Sequence, residues 1–98
     1  MLTAYLTAVR TTFSPFNRTS GKTARLFLSL LPPRAHATMA INVVVRGRAA
    51  AAEPATLAVT FKDGREMEMD LNTMGLEEVQ REVNRHSYIL KRRDELMG

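Results

Sequence analysis

The sequence predicts a small α/β domain with two main helices and a four-stranded mixed sheet, in the order β-α-β-β-β-α. Four short segments are rich in β-branched or alternating apolar residues, two longer segments carry apolar residues at helical spacing, and Pro or Gly separates them. The chain has 98 residues, of which 45% are hydrophobic. A chain of this length supports one compact core. We therefore expect residues 1–98 to form a single domain with its N-terminal segment retained.

The N-terminal third is predicted to form a strand followed by a helix. Residues Tyr5 to Phe13 are rich in β-branched and aromatic side chains and precede Ser14-Pro15, a pattern typical of a strand with a stop. A helix is expected next, with its N-cap among the hydroxyl residues of Thr19-Ser20-Gly21 and its end before Pro32-Pro33. Its predicted core-facing residues are Ala24, Phe27, Leu28 and Leu31.

A basic loop, a second strand and a hairpin are predicted for the middle of the chain. The loop covers Arg34 to Met39, and the strand covers Ile41 to Arg46. The short crossover between the first two strands favours a parallel βαβ unit. After an Ala-rich loop that ends at Pro54, two alternating segments flank an Asp-Gly turn. The apolar positions of these segments are Leu57, Val59, Phe61, Met67, Met69 and Leu71.

The face on which each hairpin residue lies predicts the length of the turn. A two-residue turn at Asp63-Gly64 would place Phe61 opposite Glu66 and so mix apolar and acidic residues on one face. A three-residue loop that begins at Lys62 and has Gly64 in a left-handed bulge avoids this conflict. The core-facing pairs are then Val59 with Met67 and Leu57 with Met69.

A final helix is predicted from Gly75 onward. It begins with the acidic residues Glu77 and Glu78, and its last turn is expected to contain Lys91, Arg92 and Arg93, which suits the helix dipole. His86 lies on its apolar stripe and is expected to be a buried, hydrogen-bonded structural histidine. The whole stripe consists of Leu76, Val79, Val83, His86 and Leu90.

Charge is distributed very unevenly along the chain. Residues 1–52 contain seven basic and no acidic residues, whereas residues 53–98 contain seven basic and ten acidic residues. Half a folded chain without acids favours a polyanionic partner such as RNA. The best candidate contacts lie around the start of the first helix and in the loop after it: Arg18, Lys22, Arg25 and Arg34.

A second candidate contact lies on the final helix, opposite its apolar stripe. Spacings of four, three and four place three guanidinium groups and a phenol on one ridge, which suits phosphate contacts and base stacking. The alternative is a solvated face on which Glu77 pairs with Arg81. The ridge consists of Arg81, Arg85, Tyr88 and Arg92.

The sequence offers no constellation for catalysis or for binding a cofactor or metal. Cys is absent, which excludes thiol chemistry. Gly21-Lys22-Thr23 resembles the end of a phosphate-binding loop, but Phe16 occupies the position of the required first Gly. Glu66, Glu68 and Asp70 are spaced too widely along a strand to hold one ion and are expected to be solvated or to face the Arg or Lys of a neighbour. We therefore expect no enzyme activity, cofactor, small-molecule substrate or membrane span.

Three short motifs together carry a resemblance to a known family: Phe13-Ser14-Pro15-Phe16, the hairpin from Val59 to Glu68, and Arg85-His86-Ser87. The chain resembles the mitochondrial large-ribosomal-subunit protein 53 family, which is protein 44 in older fungal numbering. The resemblance implies a noncatalytic, thioredoxin-like domain with its first and third strands central. It also implies a location in the mitochondrial matrix and contacts with ribosomal RNA and neighbouring ribosomal proteins. Ser14-Pro15-Phe16 stands where a thioredoxin has its Cys pair, so the redox chemistry is not expected.

Two other functions remain open at this point. A noncatalytic accessory subunit of respiratory complex I would share the small-sheet topology, and RNA in the purified particle would distinguish the two assemblies. A free phosphotransfer or metal enzyme would require turnover by the isolated chain. The first 25 residues, with three Arg and many Ser and Thr, also have the composition of a mitochondrial transit peptide.

Overall fold

The structure is a computed structural model that describes residues 3–14, 16–47 and 55–97, with only the backbone described for Arg18 and His36. Its elements, in chain order, are β1 (Leu6–Phe13), α1 (Arg18–Ser29), α2 (Ala35–Thr38), β2 (Ala40–Val45), β3 (Thr56–Phe61), β4 (Glu66–Asp70) and α3 (Leu76–Met97). The predicted α/β class and order of the main elements are confirmed.

The four strands form one mixed sheet with the order β2-β1-β3-β4. β1 pairs in parallel with β2 and antiparallel with β3, and β3 pairs antiparallel with β4. Since α1 lies between β1 and β2 in the chain, these elements form the expected βαβ unit. The central position of β1 and β3 is confirmed and is compatible with a thioredoxin-like arrangement.

The β3–β4 hairpin has the predicted three-residue loop. Phe61 N donates to Arg65 O at 2.9 Å, and Gly64 N donates to Phe61 O at 2.9 Å, so residues 62–64 form the loop. Gly64 has a φ of 89°, a value that favours glycine. The register pairs Val59 with Met67, which confirms the prediction made from the faces of the strands.

The start of α1 differs from the prediction. Asn17 is the N-cap, and its side chain accepts a hydrogen bond from Ser20 N at 3.2 Å. The cap expected at Thr19 or Ser20 is therefore wrong by two or three residues. Gly21 serves packing instead, because a Cβ built on it would lie 2.8 Å from Ser14 O. The absence of a side chain at this position lets α1 pack closely against the end of β1.

The region between α1 and β2 also contains more structure than predicted. The expected basic loop contains the single-turn helix α2, which buries Ala35, and Met39 is buried just after it. β2 begins and ends one residue before the predicted strand. Val43, Val44 and Val45 on this edge strand are at least 41% exposed, so β2 contributes little to the core.

Helix α3 continues one turn beyond its predicted end. Its last turn contains no basic residue, so the predicted placement of Lys91, Arg92 and Arg93 in the last turn is wrong. Asp94 in the added turn interacts with Tyr5, which immediately precedes β1. Partial burial, followed by the hydrogen bond and negative charge of Asp94, raises the pKa of Tyr5. The end of α3 thus lies close to the residue that precedes β1.

The core lies between one face of the sheet and helices α1 and α3. Val79 and Val83 of α3 are fully buried, as is Phe27 of α1, and all belong to the same apolar cluster as Val9 and Val59 of the sheet. Leu90 is also buried, and Leu28 packs against the cluster while partly buried. The predicted apolar stripes of the two helices are thus confirmed. The opposite face of the sheet is not covered by a helix among the described residues.

Candidate nucleic-acid interface

The first basic cluster lies mainly on the outer side of α1. Lys22 and Arg25 are exposed there, and Arg34 is exposed immediately before α2. Arg18 is the first residue of α1, and its side chain is outside the described atoms. Lys22 lies in the second turn of α1, not at its start as the predicted cap implied. Any anion at the open helix N–H groups would therefore approach near Arg18, one turn before Lys22.

Local hydrogen bonds orient the basic side of α1. Arg25 Nε donates to Gly21 O at 3.3 Å, which holds the guanidinium group back towards the N-terminal half of the helix. The sequence of α1 contains no acidic residue that could neutralise Lys22 or Arg25 from within the helix. The field of the helix dipole at this end is also positive. The N-terminal half of α1 is therefore electrostatically suited to phosphate.

The ridge on α3 is exposed but carries mixed charge. Arg81, Arg85 and Arg92 are exposed, and Tyr88 is 55% exposed. Arg85 forms an ion pair with Glu82, so the pair that forms differs from the Glu77–Arg81 pair considered from the sequence. Tyr88 and Arg92 line a shallow depression of about 210 Å³ together with Lys91 and Glu95. The ridge thus has the predicted geometry, with carboxylates beside two of its cations.

The acid-free half of the chain does not form one continuous basic surface. Val9, Thr11 and Phe13 of β1 are buried, while the intervening Arg10 is exposed. Because side chains alternate along a strand, Arg10 lies on the face of the sheet opposite the helices. Arg46 follows β2 and is also exposed. The basic residues of the acid-free half therefore lie on different surfaces of the folded protein.

The outer side of α1 also carries apolar residues that the charge pattern did not indicate. Leu26 is 40% exposed and Leu30 is 41% exposed, and they follow Lys22 at steps of four residues. Phe16, just before the helix, is 52% exposed. The four-residue spacing of Lys22, Leu26 and Leu30 could have revealed this exposed apolar stripe in the sequence. Its residues alternate along the chain with those of the buried stripe of α1. The surface suits contacts with both an anion and an apolar neighbour.

His86 has a structural role. Its ring packs edge-on against Phe61 with centroids 4.5 Å apart, and His86 Nε2 lies 3.1 Å from Asp63 Oδ2. A hydrogen bond from Arg65 N, followed by the interactions with His86, lowers the pKa of Asp63 despite partial desolvation. The prediction of a buried, hydrogen-bonded histidine is confirmed. Its partner Asp63 holds the hairpin loop against α3.

Ser14, which follows β1 directly, has a structural role. Ser14 is buried, and its hydroxyl donates to Gly47 O at 3.2 Å while accepting from Phe16 N at 3.3 Å.

Within the described ranges, no three His, Asp or Glu side chains converge to hold a metal ion. Over the same part of the chain, none of the helices is both long and apolar enough to cross a membrane.

Comparison with known proteins decides the family. The model of the family 39S ribosomal protein L53/MRP-L53 matches residues 13–64. Large ribosomal subunit protein mL53 of Neurospora crassa is 44% identical over 97 residues, which cover 98% of this chain and 97% of that protein. The chain belongs to the mitochondrial large-ribosomal-subunit protein 53 family. The protein mL53 of Saccharomyces cerevisiae is 33% identical over 88 residues, or 89% of this chain and 88% of that protein.

Membership of the protein 53 family confirms the resemblance seen in the three motifs. The matched region runs from Phe13 at the end of β1 to Gly64 in the hairpin loop. It contains all four residues of the first basic cluster, whereas the ridge on α3 lies outside it. The assignment also favours a ribosomal protein over a subunit of complex I.

Proposed function

We propose that this chain is a noncatalytic structural component of the mitochondrial large ribosomal subunit. It contacts ribosomal RNA mainly through Arg18, Lys22, Arg25 and Arg34, and it also contacts neighbouring ribosomal proteins. The names of both relatives support the subunit and the mitochondrial location. The single observation that carries the RNA contact is the exposed, acid-free N-terminal half of α1, which lies within the region matched by the family model.

The two candidate RNA contacts are ranked by their electrostatic surroundings. On α1, Lys22 and Arg25 have no acidic neighbour in their helix, and the positive end of the dipole adds to their field. On α3, Arg85 already pairs with Glu82, and Glu95 lies beside Arg92. Part of the positive charge of α3 is thus compensated within the protein. The second contact, formed by Arg81, Arg85, Tyr88 and Arg92, therefore contributes less to RNA affinity.

The test compares two charge reversals on salt-washed large subunits. Lys22→Glu/Arg25→Glu and the matched Arg81→Glu/Arg85→Glu change the net charge equally. Thermal melts are used to check that both variants fold. Retention in a sedimentation assay should fall more for the α1 variant. If about three or four phosphates are contacted, log affinity of the wild-type chain should fall with log salt at a slope of roughly −2 to −4.

The salt series also identifies the outcome that contradicts the RNA contact. Equal retention of the α1 variant and wild type at every salt concentration would mean that protein neighbours alone hold the chain. A wild-type chain that does not sediment with the large subunit at all would contradict the ribosomal role itself.

A further inference from the structure

The face of the sheet away from the helices has a different chemistry from the rest of the molecule. Its central row crosses all four strands, because the register aligns Asn42 with Arg10, Arg10 with Ala58, and Ala58 with Glu68. These four residues line one shallow depression of about 280 Å³. We call this surface the open face.

Small side chains shape the middle of the open face. Ala8 and Ala58 project there from the two central strands, with Thr60 beside them, and all three are only partly buried by their neighbours. Methyl groups at these positions leave room for the aliphatic part of a long side chain to lie across the sheet. The Lys and Arg stems are the longest such groups and commonly pack on small apolar surfaces.

Carboxylates occupy one side of the open face. Glu66, Glu68 and Asp70 are exposed on alternate residues of β4, and Arg10 is exposed two strands away on β1. The β4 edge of the open face therefore carries three carboxylates, although the whole chain has a net charge of +4. Within residues 3–14, 16–47 and 55–97, neither Glu66 nor Glu68 has an ion-pair partner. The β4 side of the open face therefore suits cations better than phosphate.

The spacing of the carboxylates restricts the shape of a partner. Residues at alternate positions of a strand lie about 6.8 Å apart, so the three carboxylates form a row with that repeat. An extended peptide repeats its side chains on one side at the same distance, whereas neighbouring positions on a helix face are about 5–6 Å apart. The basic residues that this chain exposes on α1 lie on a helix and do not match the row. The spacing thus favours an extended basic segment over the basic helix face of a second copy of the chain.

We infer that the open face binds an extended Lys- or Arg-rich segment of a neighbouring protein. Cationic side chains at alternate positions of that segment pair with Glu66, Glu68 and Asp70, and their stems cover Ala58. This inference rests on the proposed function, because the large subunit supplies the neighbour. The molecule then has two sides of opposite chemistry, with RNA at the basic cluster of α1 and protein at the open face.

The test again uses retention of the full chain on large subunits, now paired with binding to deproteinised ribosomal RNA. Glu66→Lys/Glu68→Lys reverses charge on the open face, and Glu77→Lys/Glu78→Lys makes the same net change on α3. We expect the open-face variant to lose about fivefold or more in retention relative to this control. Its affinity for naked RNA should stay the same or rise, because net positive charge increases. Glu66→Gln/Glu68→Gln, which keeps the shape, should show a smaller loss in the same direction.

Three results would overturn the inference, and each differs from a failure of the proposed function. Retention equal to that of the control would mean that the open face binds no cationic partner. Parallel losses of subunit retention and naked-RNA affinity would mean that RNA occupies the face. A dimer of the isolated wild-type chain that dissociates in the variant would identify a second copy as the occupant. In all three cases wild type still sediments with the subunit, whereas failure of the proposed function abolishes sedimentation of wild type.

Discussion

The two faces of the sheet show how one strand can serve two environments. In β3, Leu57, Val59 and Phe61 are at most 1% exposed, whereas the intervening Ala58 and Thr60 are only partly buried. The helix-covered side is filled with large apolar groups, whereas the open-side positions of β1, β3 and β4 hold small, polar or charged ones. The open side is therefore suited to a polar partner, since burial there requires no large apolar surface.

The largest effect is expected when the same charge is placed on each face of the sheet in turn. Val83→Asp puts a carboxylate among fully buried apolar residues and should cost about 3–5 kcal/mol, enough to prevent stable folding. Ala8→Asp, on the open face beside Arg10, should leave a cooperative unfolding transition. Urea denaturation followed by circular dichroism measures both. Equal destabilisation by the two changes would contradict the assignment of faces.

A smaller effect tests how closely α1 packs on the covered side. Gly21→Ala would place a methyl group 2.8 Å from Ser14 O, and backbone must move to relieve the contact. We expect a loss of roughly 1–3 kcal/mol in the free energy of unfolding. Gly75→Ala is the matched control, because a Cβ there meets no atom within 4 Å. If both variants unfold at the same urea concentration, the close approach of α1 is wrong.

The smallest expected effect concerns Asp63, which links the hairpin loop to α3. The pKa of Asp63 is lowered in the folded chain, so its ionised form stabilises the fold above the unfolded pKa of about 3.9. That contribution disappears as the pH falls through the lowered folded pKa. Asp63→Asn should therefore lower Tm at pH 7 and approach the wild-type Tm under acid conditions. A Tm difference that is unchanged down to pH 3 would contradict this role.

Much of the fold could be predicted because single strands and helices carry their own periodicity. The register of the hairpin followed from the requirement that Phe61 and Glu66 not share a face, and the structure agrees. The start of α1 could not be fixed in this way. Asn17 and Thr19-Ser20 are all good N-cap residues. The fit of Gly21 against Ser14 accompanies the choice of Asn17, and that contact is invisible in a local pattern.

Local sequence also predicts only part of the candidate RNA-binding site. Local sequence was sufficient to predict that Lys22 and Arg25 are exposed, because they lie off the apolar stripe of α1. It did not predict that Arg85 pairs with Glu82 instead of remaining free for a ligand. Side-chain pairing on a helix surface depends on rotamers that several neighbours compete for, so spacing alone does not decide it.

The α/β class, the hairpin register and the charge imbalance between the two halves can all be predicted from the sequence, because each depends on residue type and periodicity. The tertiary structure sets the direction in which those charged side chains point. It placed Arg10 on the open face and Lys22 on the helical side, although both belong to the acid-free half. The physical reason is that side chains alternate along β1, so Arg10 points away from the face on which α1 packs. Lys22 lies on α1 and is therefore on the opposite side of the sheet.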